Sequence, residues 1–424
     1  MNVIQRGVTS IKIRAKRFCY YHFIPLYTKW KEETIRKKNA ITIVFFATNL
    51  AMWRYQKVYE LMSNDIHFKT VIVLSPTCTY PKEQQISEIS ELREYFTKMK
   101  VPFVDWDFDK ENSVLDVKHE INPDIIFFTQ PYERFQYSPH DYHNFIGKLF
   151  CYSQYGIGPF ETNWFYNLEF HNIAWILFYA TNRDMECARK LAWNKGKNVV
   201  ITGYTNVDYY NDPINIVPWK SIKGKLKRVI WAPHYTIPAD NTMYSHSSFL
   251  WLAEPMIELT RKYKDQIQFA FKPHPKLRKE LYLHPEWGKE KTDFYYSKWE
   301  KMENTQLETG DFIDLFKSSD AMIHDSSSFT LEYLYTRKPV MFTSKEINSI
   351  KKSFSPFGTL AIEQHYIGKS IHDIEQFIKD VVIDGKDTMR EQRNHFCFER
   401  LDISNGISVA NNILSEIKKQ LNII

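Results

Sequence analysis

From about residue 41 the chain alternates short, nearly uninterrupted apolar runs with stretches whose apolar residues recur at helical spacing, and it does so in two successive series. Strands buried on both faces read as continuous apolar runs, and helical crossovers between them are the signature of a parallel sheet. The runs Ile41–Phe46, Val71–Leu74, Val101–Val104, Ile125–Phe128, Leu149–Tyr152 and Val199–Thr202 form the first series, with helices expected over Trp53–Met62 and Ile86–Met99. Strands at Val229–Ala232, Ile267–Phe271, Ala321–Ile323 and Val340–Phe342 form the second, with helices at Phe249–Tyr263, Phe312–Phe316 and Phe329–Tyr335. Between them, Asn211–Lys227 carries Pro213, Pro218 and Gly224 with little periodicity and reads as a linker. The expected architecture is α/β, with two doubly wound Rossmann-like domains facing a cleft. The expected layout is a basic segment over 1–40, a first domain over 41–212, a linker over 213–227, a second domain over 228–402 and a C-terminal helix over 403–424.

Charge is placed unevenly. Residues 1–38 hold ten Lys or Arg against Glu32 and Glu33, a surplus of eight, whereas the whole chain carries +6, so the remainder is slightly acidic. This excludes a basic coat for nucleic acid and leaves an N-terminal segment suited to something anionic. Apolar and aromatic residues interleave with those cations, among them Ile11, Phe18, Phe23, Leu26 and Trp30, which fits an interfacial segment on an anionic leaflet. A solvated basic arm, or a helix packed on the first domain, fits the same pattern. No apolar run reaches the length of a membrane span, and no compact apolar signal core stands at the N-terminus. The five cysteines are scattered and never form a Cys-x-x-Cys pair, so a reducing cytoplasm is the expected compartment, with peripheral contact on the inner face of the membrane.

Four segments carry candidate chemistry. In Asp325-Ser326-Ser327-Ser328, a buried strand ends in an acid and three hydroxyls just before a helix, with Glu332 one turn on; such a turn offers donors suited to a diphosphate. Asp325 or Ser326 as a simple helix cap is the competing reading. In Lys272-Pro273-His274-Pro275-Lys276-Leu277-Arg278, two prolines set the backbone around His274 while Lys272 and Arg278 supply cations for phosphate oxygens. His274 can donate to a phosphate or transfer a proton near neutral pH, or hold its loop. His234, in Trp231-Ala-Pro-His-Tyr, ends another strand and is equally a ligand or a loop histidine. In the first domain, Tyr155 and Gly156 follow a strand where the backbone can approach a ligand. His171 is the nearest histidine to serve as a base there, a buried structural role being the alternative. Metal-ligand spacing, dinucleotide-binding glycines and a Gly-x-Ser-x-Gly elbow do not occur, so no metal or cofactor is expected.

At these residues the chain resembles the CDP-glycerol glycerophosphotransferase family, the enzymes of teichoic acid and related capsular polymers, over most of residues 120–345. The resemblance rests on His274-Pro275, on Asp325-Ser326-Ser327-Ser328, and on Gly203-Tyr-Thr-Asn-Val-Asp208, which is similar to the family's Gly-x-Pro-Arg-x-Asp element without its proline and arginine. It implies the two-domain GT-B fold, a CDP-activated or other nucleotide diphosphate donor held by His274 and Ser326–Ser328, and a glycopolymer or lipid-linked acceptor. The family's Trp-His-Gly-Thr stretch, whose histidine is the proposed base, is replaced by Gln154-Tyr155-Gly156-Ile157. His171 or Glu161 then takes that role, or donor and acceptor differ. Glu332 stands where GT-B sugar transferases place a ribose-binding glutamate. A nucleotide-sugar transferase of capsule or lipopolysaccharide synthesis therefore stays open, as does a non-catalytic scaffold of polysaccharide assembly.

Overall fold

The computed structural model describes residues 3–107, 114–160, 162–214, 217–237, 247–402 and 406–423, with side chains from residue 11. The chain divides into two compact units, one of residues 1–156, 162–208 and 402–424, the other of 157–161 and 209–401.

The first unit is built on β1 (Ile41–Ala47), β2 (Phe68–Leu74), β3 (Ile125–Phe128), β4 (Leu149–Ser153), β5 (Ile176–Tyr179) and β6 (Val199–Ile201). These pair in the order β2-β1-β3-β4-β5-β6, every pair parallel. The strand order reverses between β1 and β3, which makes their carboxyl ends the switch point of this sheet. Phe46, Ile126, Phe128, Tyr152 and Tyr179 build the core on one face, and Phe45 and Phe127 stack at 4.6 Å on the other. Both faces are therefore apolar, and alternation is absent from the sequence of these strands. The run Val101–Val104 is not a strand; it contributes a single parallel bridge between Val104 and Val73. Strand β5 lies in an aromatic-rich stretch whose composition masks its boundaries.

The C-terminal helix, Val409–Leu421, returns to this first unit. Asp208 accepts the backbone N–H groups of Val409 at 2.7 Å and Ala410 at 2.9 Å, filling two of the donors that a helix start leaves unpaired. Gly203 has φ +97°, and a Cβ there would meet Val409 Cγ2 at 3.0 Å. The Gly-to-Asp element thus docks the last helix.

The second unit contains β7 (Lys227–Ala232), β8 (Ile267–Phe271), β9 (Thr305–Leu307), β10 (Ala321–His324), β11 (Val340–Thr343) and β12 (Tyr366–Gly368). Their order, β12-β11-β10-β7-β8-β9, is the Rossmann order, with all pairs parallel and the switch point between β7 and β10. Trp231, Phe249, Phe271, Tyr295 and Trp299 pack beneath helices Phe249–Lys262 and Gly288–Lys301, with Trp231 and Phe271 stacked at 5.0 Å. The short edge strands β9 and β12 read as Thr-Gln-Leu and Tyr-Ile-Gly, too short and too polar at their edges to stand out in the sequence.

Residues 3–35 are helical throughout, as Val3–Phe18, a π turn at Cys19–Phe23, and Ile24–Ile35. One side packs on the first unit, where Tyr20 stacks on Trp193 at 5.9 Å and Trp175 Nε1 donates to Glu32 at 2.7 Å. The other side is open: Ile11 is 68% exposed, Phe23 58%, Leu26 66% and Trp30 55%. Among the described residues no helix is long and apolar enough to cross a membrane.

Candidate active site

The carboxyl ends of β8, β7 and β10 lie side by side because those strands are hydrogen-bonded neighbours. Each ends in one of the segments singled out above. The imidazoles of His234 and His274 meet edge to face at 4.9 Å. The Tyr235 ring closes on both, at 4.5 Å from His234 and 4.4 Å from His274, and Lys276 Nζ stands over Tyr235 at 5.4 Å.

His274 has a defined tautomer. Its Nδ1 accepts the backbone N–H of Lys276 at 3.1 Å, so in the neutral ring the proton sits on Nε2, ready to donate. Burial, with Lys276 and Lys272 nearby, lowers its pKa to about 4. The free protein is therefore expected to keep His274 neutral through physiological pH. Because the unfolded chain takes up this proton near the ordinary histidine value and the folded chain only near 4, His274 contributes stability above about pH 6.5 that is lost as pH falls toward 4. Ring NMR shifts of His274 are expected to titrate well below the ordinary value, and to move upward when a nucleoside diphosphate places negative charge beside the ring; a free-state titration near 6.5 would contradict this burial.

Asp325 does something the sequence did not indicate. It is fully buried and caps no helix; it accepts the backbone N–H groups of His234 and Ser248, the Ser248 hydroxyl at 2.6 Å and the Ser247 hydroxyl at 3.3 Å. One carboxylate thus ties the loop after β7 to the start of helix Phe249–Lys262. Its expected contact with a donor is corrected: its oxygens are taken up by the protein. Beside it, His324 Nδ1 accepts the Ser326 N–H at 3.1 Å and sets the turn from below. Ser326 is buried, with its hydroxyl 3.3 Å from that of Ser328, while Ser327 and Ser328 are progressively more open. The helix that follows is a single α turn, Phe329–Glu332, which tightens to a 3-10 turn at Tyr333–Thr336. With one α turn its dipole is small.

Lys272 is mostly buried, donates to the Gly310 carbonyl at 2.5 Å, and has its pKa lowered by burial. Arg278 is committed elsewhere: its guanidinium bonds Asp293 at 2.6 Å and lies over Tyr296 at 5.0 Å, so its expected phosphate role is corrected. Glu332 is buried and accepts from Tyr210 at 3.3 Å.

In the first unit, His171 is corrected as a base. It is enclosed by Tyr152, Phe165, Phe170 and Tyr179, its Nδ1 lies 2.6 Å from the Phe165 carbonyl, and burial lowers its pKa to about 4. Glu161 lies outside the described residues. Gln154, the first residue of the stretch that replaces Trp-His-Gly-Thr, is buried and accepts the Ala180 N–H at 3.0 Å. Tyr155 reaches Tyr132, hydroxyl to hydroxyl at 3.4 Å, and a Cβ on Gly156 would meet nothing within 4 Å, so no steric demand explains that glycine. Glu133, His143 and Glu169 bring ligand atoms within 4.8 Å of one another, and Lys16 already pairs with Glu169 at 3.2 Å.

Two parallel-sheet α/β units, one of Rossmann order with histidines and serines gathered at its switch point, are those of the GT-B fold. Solved structures share this fold. A variant of the wall teichoic acid polymerase TagF aligns over 99% of this chain and 98% of its own, with TM-score 0.59 and 13% identity. The S. aureus MnaA–UDP co-structure aligns over 91% and 98%, with TM-score 0.55 and 15% identity. UDP-GlcNAc 2-epimerase from Neisseria meningitidis, bound to UDP-GlcNAc, aligns over 89% and 99%, with TM-score 0.56 and 14% identity. No curated protein matches in sequence. The family model for CDP-glycerol:poly(glycerophosphate) glycerophosphotransferase matches residues 161–415, more than half of the chain, and the chain belongs to that family.

Proposed function

We propose that this protein transfers a polyol phosphate, glycerol or ribitol phosphate, from a CDP-activated donor to a hydroxyl of a cell-surface glycopolymer or lipid-linked acceptor. The observation that carries this reading is the convergence of His234, His274 and the Ser326–Ser328 turn at one sheet edge, in a chain of this family. His274 Nε2–H and the serine hydroxyls bind diphosphate oxygens and stabilise the charge that grows on the departing nucleoside monophosphate. Lys272 adds positive potential from beneath, and Glu332 bonds the donor ribose. Phosphoryl transfer through a loose transition state asks mainly for such positioning and charge stabilisation.

A donor panel tests this. CDP-glycerol or CDP-ribitol is expected to be turned over in the presence of a glycerol-phosphate primer, while nucleotide sugars are not. Turnover of a nucleotide sugar alone would favour the sugar-transferase reading, which the replacement of the family's histidine by Tyr155 keeps alive.

The N-terminal helices fit an anionic membrane surface, the place where a lipid-linked acceptor resides. Phe23, Leu26, Tyr27 and Trp30 follow one another at helical spacing on an exposed stripe bordered by Lys29 and Lys31. Serine at Phe23, Leu26 and Trp30 together is expected to weaken binding to phosphatidylglycerol vesicles by at least about tenfold, since each large apolar side chain contributes on the order of 1.5–3 kcal/mol when buried. Unchanged co-sedimentation would remove the membrane from this account.

A further inference from the structure

The first unit holds a cavity of about 150 Å³ at the amino ends of β5 and β6, the end of its sheet opposite the switch point. Helix Ile24–Ile35 forms one wall, the segments leading into β5 and β6 form another, and Gln420 of the C-terminal helix closes a side. Beside it, sharing Lys29, Glu32 and Gln420, is a wider recess of about 380 Å³ to which Arg36 and Lys419 add positive charge. A drug-sized ligand takes roughly 300–1,000 Å³, so the inner cavity suits a head of a few carbons and not a nucleotide.

Several polar groups of the lining are spent on the protein. Asn198 donates to the carbonyls of His171 at 3.0 Å and Ala174 at 2.7 Å, and accepts from Asn194 at 2.8 Å. Lys197 Nζ donates to the Tyr21 carbonyl at 2.9 Å and stands 3.2 Å from the centre of the Tyr21 ring, so it supplies potential more than contact. Two groups keep capacity. Glu32 Oε1 accepts from Trp175 Nε1 at 2.7 Å, while Oε2 takes no hydrogen bond among the described residues. The ammonium of Lys29, one turn earlier on the same helix, is exposed and makes neither ion pair nor hydrogen bond among them. A free carboxylate oxygen calls for a hydroxyl, and a free ammonium calls for an anion, so a ligand that satisfies both carries the two a few bonds apart. Ile24, Pro25 and Trp175 give the carbons between them an apolar wall. A phosphodiester with a glycerol head has this pattern, whereas a bare phosphate would set its charge against Glu32.

We propose that this cavity binds the glycerol phosphodiester head of an anionic lipid, with a head hydroxyl on Glu32 Oε2 and the phosphate against Lys29. A lipid is favoured over a soluble glycerol phosphate because the same helix carries the exposed Leu26, Tyr27 and Trp30. In that choice of source the proposal rests on the membrane reading given above. It goes beyond that reading in requiring recognition of the head itself, which charge attraction and apolar insertion do not supply.

The test uses the purified full chain and phosphatidylcholine vesicles carrying equal fractions of phosphatidylglycerol or of phosphatidylmethanol, which has the same charge and no head hydroxyl. Co-sedimentation is expected to favour phosphatidylglycerol by at least about tenfold, the lower end for a hydrogen bond to a charged group. Glu32→Gln keeps an acceptor for Trp175 and loses the free one, so the preference is expected to fall to within about threefold with the unfolding midpoint little changed. That outcome upholds the site. Equal binding of the parent to the two vesicles, or a preference that survives in Glu32→Gln, overturns it. If the parent sediments with neither vesicle, the membrane reading falls, and calorimetry with glycerophosphoglycerol, the same head without acyl chains, decides the cavity. Binding that is lost in both Glu32→Gln and Lys29→Gln keeps it as a glycerol phosphodiester site with a soluble source, and no binding ends it.

Discussion

Alanine in place of His274 is expected to lower kcat by about 10²- to 10³-fold, the range found when one donor to a developing anion is removed. The argument is geometric. The Lys276 N–H occupies Nδ1 and so leaves the proton on Nε2, while the rings of His234 and Tyr235 fix the imidazole plane. Burial then keeps the ring neutral, a donor that costs no proton uptake before the donor substrate arrives. Because His274 contributes little to the core beneath β8, circular dichroism and the unfolding midpoint are expected to change little. His274→Gln retains an N–H donor of similar reach and is expected to recover part of the rate. A His274→Ala protein turning over CDP-glycerol within a few-fold of the parent would take this residue out of the site.

Removing Asp325 is expected to act through stability before it acts on chemistry. In Asp325→Ala the backbone N–H groups of His234 and Ser248 and the hydroxyls of Ser247 and Ser248 lose a shared buried partner. Ser248 Oγ retains Thr343 at 2.7 Å and Ser247 Oγ retains the His234 carbonyl at 2.7 Å, so the two backbone groups bear most of the loss. A cost of about 3–5 kcal/mol follows from leaving such donors unsatisfied, readable as a lower urea midpoint. Asp325→Asn keeps one acceptor oxygen and is expected to fall between the two. A loss below about 1 kcal/mol would return Asp325 to the set of groups free to meet a ligand.

In these two residues local sequence and tertiary contacts contribute unequally. Both stand in segments that were conspicuous as strand ends rich in polar residues, yet their roles differ. His274 looks the same in sequence whether its ring is free or fully bonded; the Lys276 N–H decided it. Asp325 looked like a cap or a ligand because its partners lie at His234 and at Ser247 and Ser248, some 77–91 residues away along the chain. Arg278 has the charge for a phosphate contact, but Asp293 and Tyr296 on the next helix claim it, and nothing in its local segment announces them. His171 is enclosed by its chain neighbours Phe165 and Phe170 together with Tyr152 and Tyr179, and only the sheet brings those last two rings to it.

What the sequence determined by itself was the arrangement of layers: continuous apolar runs can be buried only in a sheet covered on both faces, and the helical spacing between them supplies that cover. From this follow the parallel strands, the polar residues at their carboxyl ends and, through the His-Pro and Asp-Ser-Ser-Ser segments, the family. Tertiary structure alone decided which polar groups remain available for chemistry. Hydrogen bonding saturates, and whether a carboxylate, imidazole or amide still has a free atom depends on partners that the fold brings from distant parts of the chain.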